Sequence, residues 1–153
     1  MKYVLAVLAL AGAVVSALAL QVHYSTGTSP CSINEHWDCG FVNHSSYSML
    51  GAYLPDGWQE RAGAVARTPV AGIGLVGYLA LGVVALLGQR RLFVALALGA
   101  FGVALFLTHI EKDVLEVWCL YCVISQSVIA LMLAGGLGWL VAGLMRGRRQ
   151  QAG

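Results

Sequence analysis

Apolar residues gather in four long runs, Tyr3–Leu20, Pro69–Gly88, Leu92–Ile110 and Trp118–Met145, and none of them contains Asp, Glu, Lys or Arg. About 20 such residues carry a helix across a bilayer. The pattern therefore predicts an all-α integral membrane fold, a bundle of four transmembrane helices over about 3–22, 69–88, 92–110 and 118–145. The last run is longer than a bilayer needs, which calls for tilt or an emergent end. Polar residues concentrate in a loop over about 23–67 and in the short His109–Val117 connection. Within the loop, Asp38 is placed to cap a helix with Val42, Ser46, Met49, Leu50 and Tyr53 along one face, ending near Gly51. Such a helix would lie at the membrane surface. Leu54-Pro55-Asp56-Gly57 reads as a turn, and Thr68-Pro69 as the N-cap and first residue of the second span. Asp113-Val-Leu-Glu116 resembles a capping box. A fourth helix starting there would hold Cys119 too deep to feel the helix terminus.

Composition agrees with a membrane protein. Of 153 residues, 59% are hydrophobic and only 10% charged, with mean hydropathy +0.77, where a soluble domain carries about a quarter charged residues. No internal repeat is visible, and residues 1–153 are expected to form a single membrane domain. Lys2 and Ala17-Leu18-Ala19 give the first span some look of a cleaved signal. Its 18-residue apolar run exceeds the ~7–15 of a signal core, so a retained helix is expected. With four spans, Lys2, Arg90, Arg91, Arg146, Arg148 and Arg149 share one side. That side holds six of the nine basic residues and none of the seven acidic ones, which makes it cytoplasmic. All four cysteines (Cys31, Cys39, Cys119 and Cys122) then face the compartment that permits disulfides. The expected location is the inner (cell) membrane with the cysteines at its periplasmic face, or alternatively the endoplasmic reticulum with a lumenal site. No nucleic-acid partner is expected.

Gly72-Ile-Gly74-Leu-Val-Gly77 matches the dinucleotide fingerprint, but no strand precedes it and the run lies in a span. Its glycines, like Gly135, Gly136 and Gly138, suit close helix approach instead. Three readings compete for the cysteines. Zinc fits poorly, because seven residues separate Cys31 from Cys39 where structural sites use two to four. Inert stapling of a membrane scaffold by disulfides is the second. The third is a redox relay between an outer pair and the Cys119-x-x-Cys122 pair at the membrane edge. The loop closed by a C-x-x-C bridge is too short to stabilise much, so the relay is preferred.

The order of a span, an outer Cys-x7-Cys, a Ser six residues on, two spans and then C-x-x-C resembles the vitamin K epoxide reductase family. Asp38–Ser48 (DCGFVNHSSYS), Pro69–Tyr78 and Leu115–Ser125 (LEVWCLYCVIS) carry the likeness, which covers nearly the whole chain. The resemblance implies a four-helix bundle around a quinone pocket at the outer face. It implies a catalytic Cys119–Cys122 pair, with Cys122 nearer the quinone. Cys31 and Cys39 become the shuttle pair, Cys39 attacking Cys119 and Cys31 facing an external thiol protein. Ser45 takes the place of the loop serine that donates to a quinone oxygen, although helix geometry alone would choose Ser46. The implied acceptor is a quinone (ubiquinone, menaquinone or vitamin K). The implied donor is a DsbA-like or thioredoxin-like dithiol protein, expected to be separate because no such domain is present. Reduction of vitamin K quinone or epoxide is the alternative activity. Gln126 stands where animal enzymes of the family that reduce the epoxide have Tyr, which counts against it.

The other polar residues near the outer face have simpler readings. His23, His36, His44 and His109 read as solvated or interfacial, His44 being the best placed to tune a thiolate. Trp37, Trp58 and Trp118 read as interface anchors. Glu111, Asp113 and Glu116 would raise a nearby thiol pKa.

Overall fold

A computed structural model describes residues 1–26, 29–55 and 57–151, with side chains to 147. The side chains of Arg148 and Arg149, and Asp56 of the expected turn, lie outside the described residues. The described chain is helical: α1 (Lys2–Tyr24), α2 (Cys39–His44), α3 (Trp58–Ala62), α4 (Val70–Leu86), α5 (Arg90–Ile110) and α6 (Leu120–Gln151). Three of these, α1, α5 and α6, are long and apolar enough to cross a membrane, and α4 is a shorter apolar helix. Their packing is that of a multi-pass membrane bundle. Large side chains such as Val7 and Leu10 on α1, Leu79 and Val83 on α4 and Leu98 on α5 stay exposed, as lipid-facing surfaces require.

Helix α1 packs along α4 and α6, and α5 along α6. Leu5, Tyr78, Leu81, Phe93, Ile129 and Met132 fill the centre. Small residues set the spacing. A side chain on Gly12 would run into the Tyr78 ring, and one on Gly136 into Phe93. The fingerprint glycines divide, with Gly74 close against Ser16 of α1 and Gly77 facing open space. Gly88, at φ 75°, turns the chain out of α4 into α5.

Three local expectations need correction. The Asp38-capped helix stops at His44, and two 3₁₀ turns, Ser46–Ser48 and Leu50–Tyr53, replace its second half. The cause is local: the Ser45 and Ser48 hydroxyls donate to the carbonyls of Val42 (2.7 Å) and Ser45 (2.8 Å), competing with the helical ladder. Helix α4 starts one residue late, with Pro69 as its N-cap. The Asp113–Glu116 capping box does not form. Glu111–Leu115 instead continue α5 as a π turn, ending at Glu116 with φ 54°. The last helix begins at Leu120, and the Cys119 carbonyl accepts from Val123 N (3.1 Å). Cys119 thus precedes the helix rather than lying deep inside it.

Candidate functional site

The loop after α1 reaches Cys119 through a short stretch of paired backbone. Asn34 folds residues 34–37 by accepting from the His36 and Trp37 amides (3.0 Å each). Trp118 N then donates to His36 O (2.8 Å), and Asp38 N to Trp118 O (3.1 Å). Asp38 opens α2 by accepting from Phe41 N (3.1 Å) and from the Ser32 hydroxyl (2.5 Å). Those hydrogen bonds, Ser32's foremost, hold its carboxyl below the usual carboxylate range. Cys39 is the first residue of α2 and Cys119 the residue next to Trp118, so the pairing brings the two cysteines together.

Both are fully buried in one cluster with Cys31, Val22 and Val42. Cys31 and Cys39 form a disulfide with Cα atoms 5.7 Å apart, while Cys119 and Cys122 are free thiols. The buried Asn43 amide joins the two segments, donating to Cys39 O (2.9 Å) and to Cys119 Sγ (3.6 Å). Cys31 is only 4% exposed and carries the Ser29 hydroxyl at 3.3 Å. An external thiol reaches it only after that covering moves.

Beneath the loop lies a cavity of about 290 Å³ among α1, α4, α5 and α6. Its wall is mostly apolar, from residues such as Val70, Ile73, Leu81 and Val103, with Cys122, Ser45, Tyr53 and Glu111 on it as well. Deeper, Tyr78 Oη lies on Ser125 O (2.7 Å), and Thr108 donates to Gln126. Cys122 and Ser45 therefore share one cavity, whereas Cys119, Cys31 and Cys39 sit behind it. Ser46 is exposed and outside the lining. The residues fit a quinone: a flat apolar ring suits the wall, a thiol is at hand, and hydroxyls such as those of Ser45 and Tyr53, which donate to the carbonyls of Val42 and Tyr47, could turn from them to its oxygens.

His44 has structural partners, its ring nitrogens lying on Gly40 O (2.7 Å) and Ser25 O (2.9 Å). Trp37 and Trp118 contribute their backbones to the pairing and their rings to a tilted contact at 6.3 Å. Asn43 escaped the sequence reading, and Glu111 was read only as an acid raising a nearby thiol, not as part of the cavity wall. Asn43 follows Cys39 by four positions, the spacing that shares a helix face. Glu111 follows the cavity-lining Leu107 and Thr108 by four and three positions, so the same rule would have turned it inward.

A multi-pass helical membrane protein with a bridged cysteine pair in a loop folded onto a C-x-x-C pair is the class this geometry defines. The chain belongs to the vitamin K epoxide reductase family, whose model matches residues 3–136. No curated protein matches it. Family membership makes the chain an oxidoreductase of the membrane.

Proposed function

We propose that the protein spans the membrane four times and moves electrons from an extracytoplasmic dithiol protein of the DsbA or thioredoxin type to a membrane quinone, supporting disulfide formation outside the cytoplasm. The observation that carries this reading is the joint burial of Cys39 and Cys119, tied by Asn43 and the Trp37–Trp118 pairing. An inert staple gains nothing from a second, unbridged pair packed against the first. A relay needs that arrangement, because exchange proceeds by thiolate attack through a mixed disulfide.

In the proposed cycle the partner's dithiol reduces Cys31–Cys39. The Cys39 thiolate attacks Cys119 of an oxidised Cys119–Cys122 pair, and Cys31 resolves the mixed disulfide. The products are a Cys31–Cys39 bridge and two thiols at Cys119 and Cys122, the state seen in the structure. A quinone held in the cavity supplies the two-electron acceptor for the Cys119–Cys122 pair. Cys122 meets it as the cavity-facing thiol, and the Ser45 hydroxyl donates to it on turning away from Val42 O.

Removing the sulfur that closes the inner bridge tests the relay. Cys122→Ser, exposed to oxidant, is expected to accumulate Cys39–Cys119, read as linked peptides by mass spectrometry. Recovery of Cys31–Cys39 alone, with Cys119 unreactive, would favour the stapled scaffold.

A further inference from the structure

Three acids stand in the connection between α5 and α6, and the fold treats them differently. Asp113 and Glu116 are exposed, and Asp113 Oδ2 lies 2.6 Å from His109 Nδ1. Glu111 is 4% exposed and lines the cavity. Its Oε2 accepts from Cys119 N (3.2 Å), and the Cys122 thiol stands on the same cavity wall. Among the described residues no cation pairs with it. A buried, unpaired acid is costly. The π turn that starts at Glu111 replaces regular helix at this point, and such turns gather at functional sites.

We propose that Glu111 is the acid–base residue for Cys122, exchanging a proton with its thiol during oxidation of the C-x-x-C pair. This rests on the thiol-to-quinone reading above. Oxidation forms the Cys119–Cys122 S–S bond from two thiols and releases two electrons and two protons, all of which end on the quinone as a hydroquinone. The Glu111 carboxylate takes the Cys122 proton, freeing the thiolate, and gives it up toward the acceptor's oxygen within the same cavity. Carboxylate once more, it takes the second proton from Cys119, whose amide it already holds. Tyr53 is a further ionisable group on the same cavity wall. Burial pushes its phenol above the ordinary value, which leaves it a donor and not a base.

Gln at position 111 keeps an acceptor for Cys119 N but cannot take a proton, so it separates capping from proton transfer. The first readout needs no quinone: the rate of Cys122 alkylation in reduced full-length protein, resolved by mass spectrometry across pH. Among the described residues, the ionisable groups around Glu111 include Cys119 and Cys122 from the C-x-x-C segment, Tyr53, Tyr47 and His23 from the loop side, and Tyr121 and Tyr78 on the cavity wall. Transfer to Glu111 gives the wild type a pH-independent plateau of thiolate reactivity below the step of the thiol itself. Glu111→Gln is expected to lose the plateau and follow one titration, and Glu111→Asp to keep it. The second readout is reduction of a short-chain ubiquinone, expected to fall about a hundredfold in Glu111→Gln. Matching alkylation profiles in wild type and Glu111→Gln, or full turnover in Glu111→Gln, would overturn the proposal. Wild-type protein that shows the plateau yet reduces no quinone would instead overturn the proposed function. Should Glu111→Gln not fold, Glu111→Ala carries the test: retention of the plateau there would overturn the proposal and its loss would uphold it.

Discussion

The Ser45 hydroxyl has one proton to give and stands between two acceptors in the proposed reading. It ends α2 by donating to Val42 O, yet it lines the cavity that Cys122 also reaches. Quinone reduction places negative charge on a ring oxygen, and a donor aimed there acts most strongly away from water. In Ser45→Ala, quinone reduction should fall about ten- to a hundredfold, below the 10²–10³ of the best enclosed sites because the cavity mouth is partly open. Single-turnover exchange at Cys31 and Cys39 should be nearly unchanged, so the two assays on one mutant locate the effect. Equal losses in both would mean a misfolded loop, and unimpaired quinone turnover would remove Ser45 from the site. At this scale the sequence is legible where chemistry is rare. Four cysteines in so apolar a chain announce themselves, and the serine follows from motif order. Asn43 and Glu111 were harder to see because polar residues beside a membrane usually face water. Only the contacts to Cys119, 76 and 8 residues away respectively, show that these two do not.

Elements were legible to the extent that bulk hydrophobicity defines them. The long helices follow the apolar runs closely, whereas the loop's elements depend on side chains that compete for the backbone. The serines shorten α2, and the Trp37–Trp118 pairing keeps the chain extended until Cys119, delaying α6. Neither device has a hydropathy signature. The Asp38 cap is legible from its residue type instead, and it holds Cys39 in register. Asp38→Ala should cost about 1 kcal/mol, the usual worth of an N-cap, and lower the melting temperature of the oxidised protein. The pH dependence follows from the carboxyl's lowered value. The extra stability is complete above the unfolded pKa of about 3.9 and is lost as pH falls through the still lower folded value. The gap in melting temperature between wild type and Asp38→Ala should therefore be constant near neutrality and narrow at acid pH. A gap unchanged by acid would show that the cap does not depend on the carboxylate.

For the whole molecule, the two ends of the bundle differ in charge and in chemistry. Lys2 opens α1, Arg90 and Arg91 open α5, and Arg146 lies near the end of α6. A groove lined by Gly88–Leu92 together with Leu140, Gly143 and Leu144 brings the α4–α5 turn beside the end of α6. The Arg90 guanidinium lies 5.1 Å from the centre of the Trp139 ring. The basic residues that look scattered in sequence are therefore neighbours at one end, and the cysteine cluster occupies the other. Positive charge resists translocation when it sits close to helix ends, which is where these residues are. The basic end should face the cytoplasm and the cysteines the oxidising side. In a cysteine-free background, a single cysteine replacing Gln89 should resist a membrane-impermeant maleimide in intact cells and label only after lysis. One replacing Glu60, which is exposed beside α3's Trp58, should label before lysis. The reverse pattern would place all four native thiols in a reducing compartment, where a Cys31–Cys39 bridge would not persist. Such a result would end the relay, whatever the geometry around Cys119.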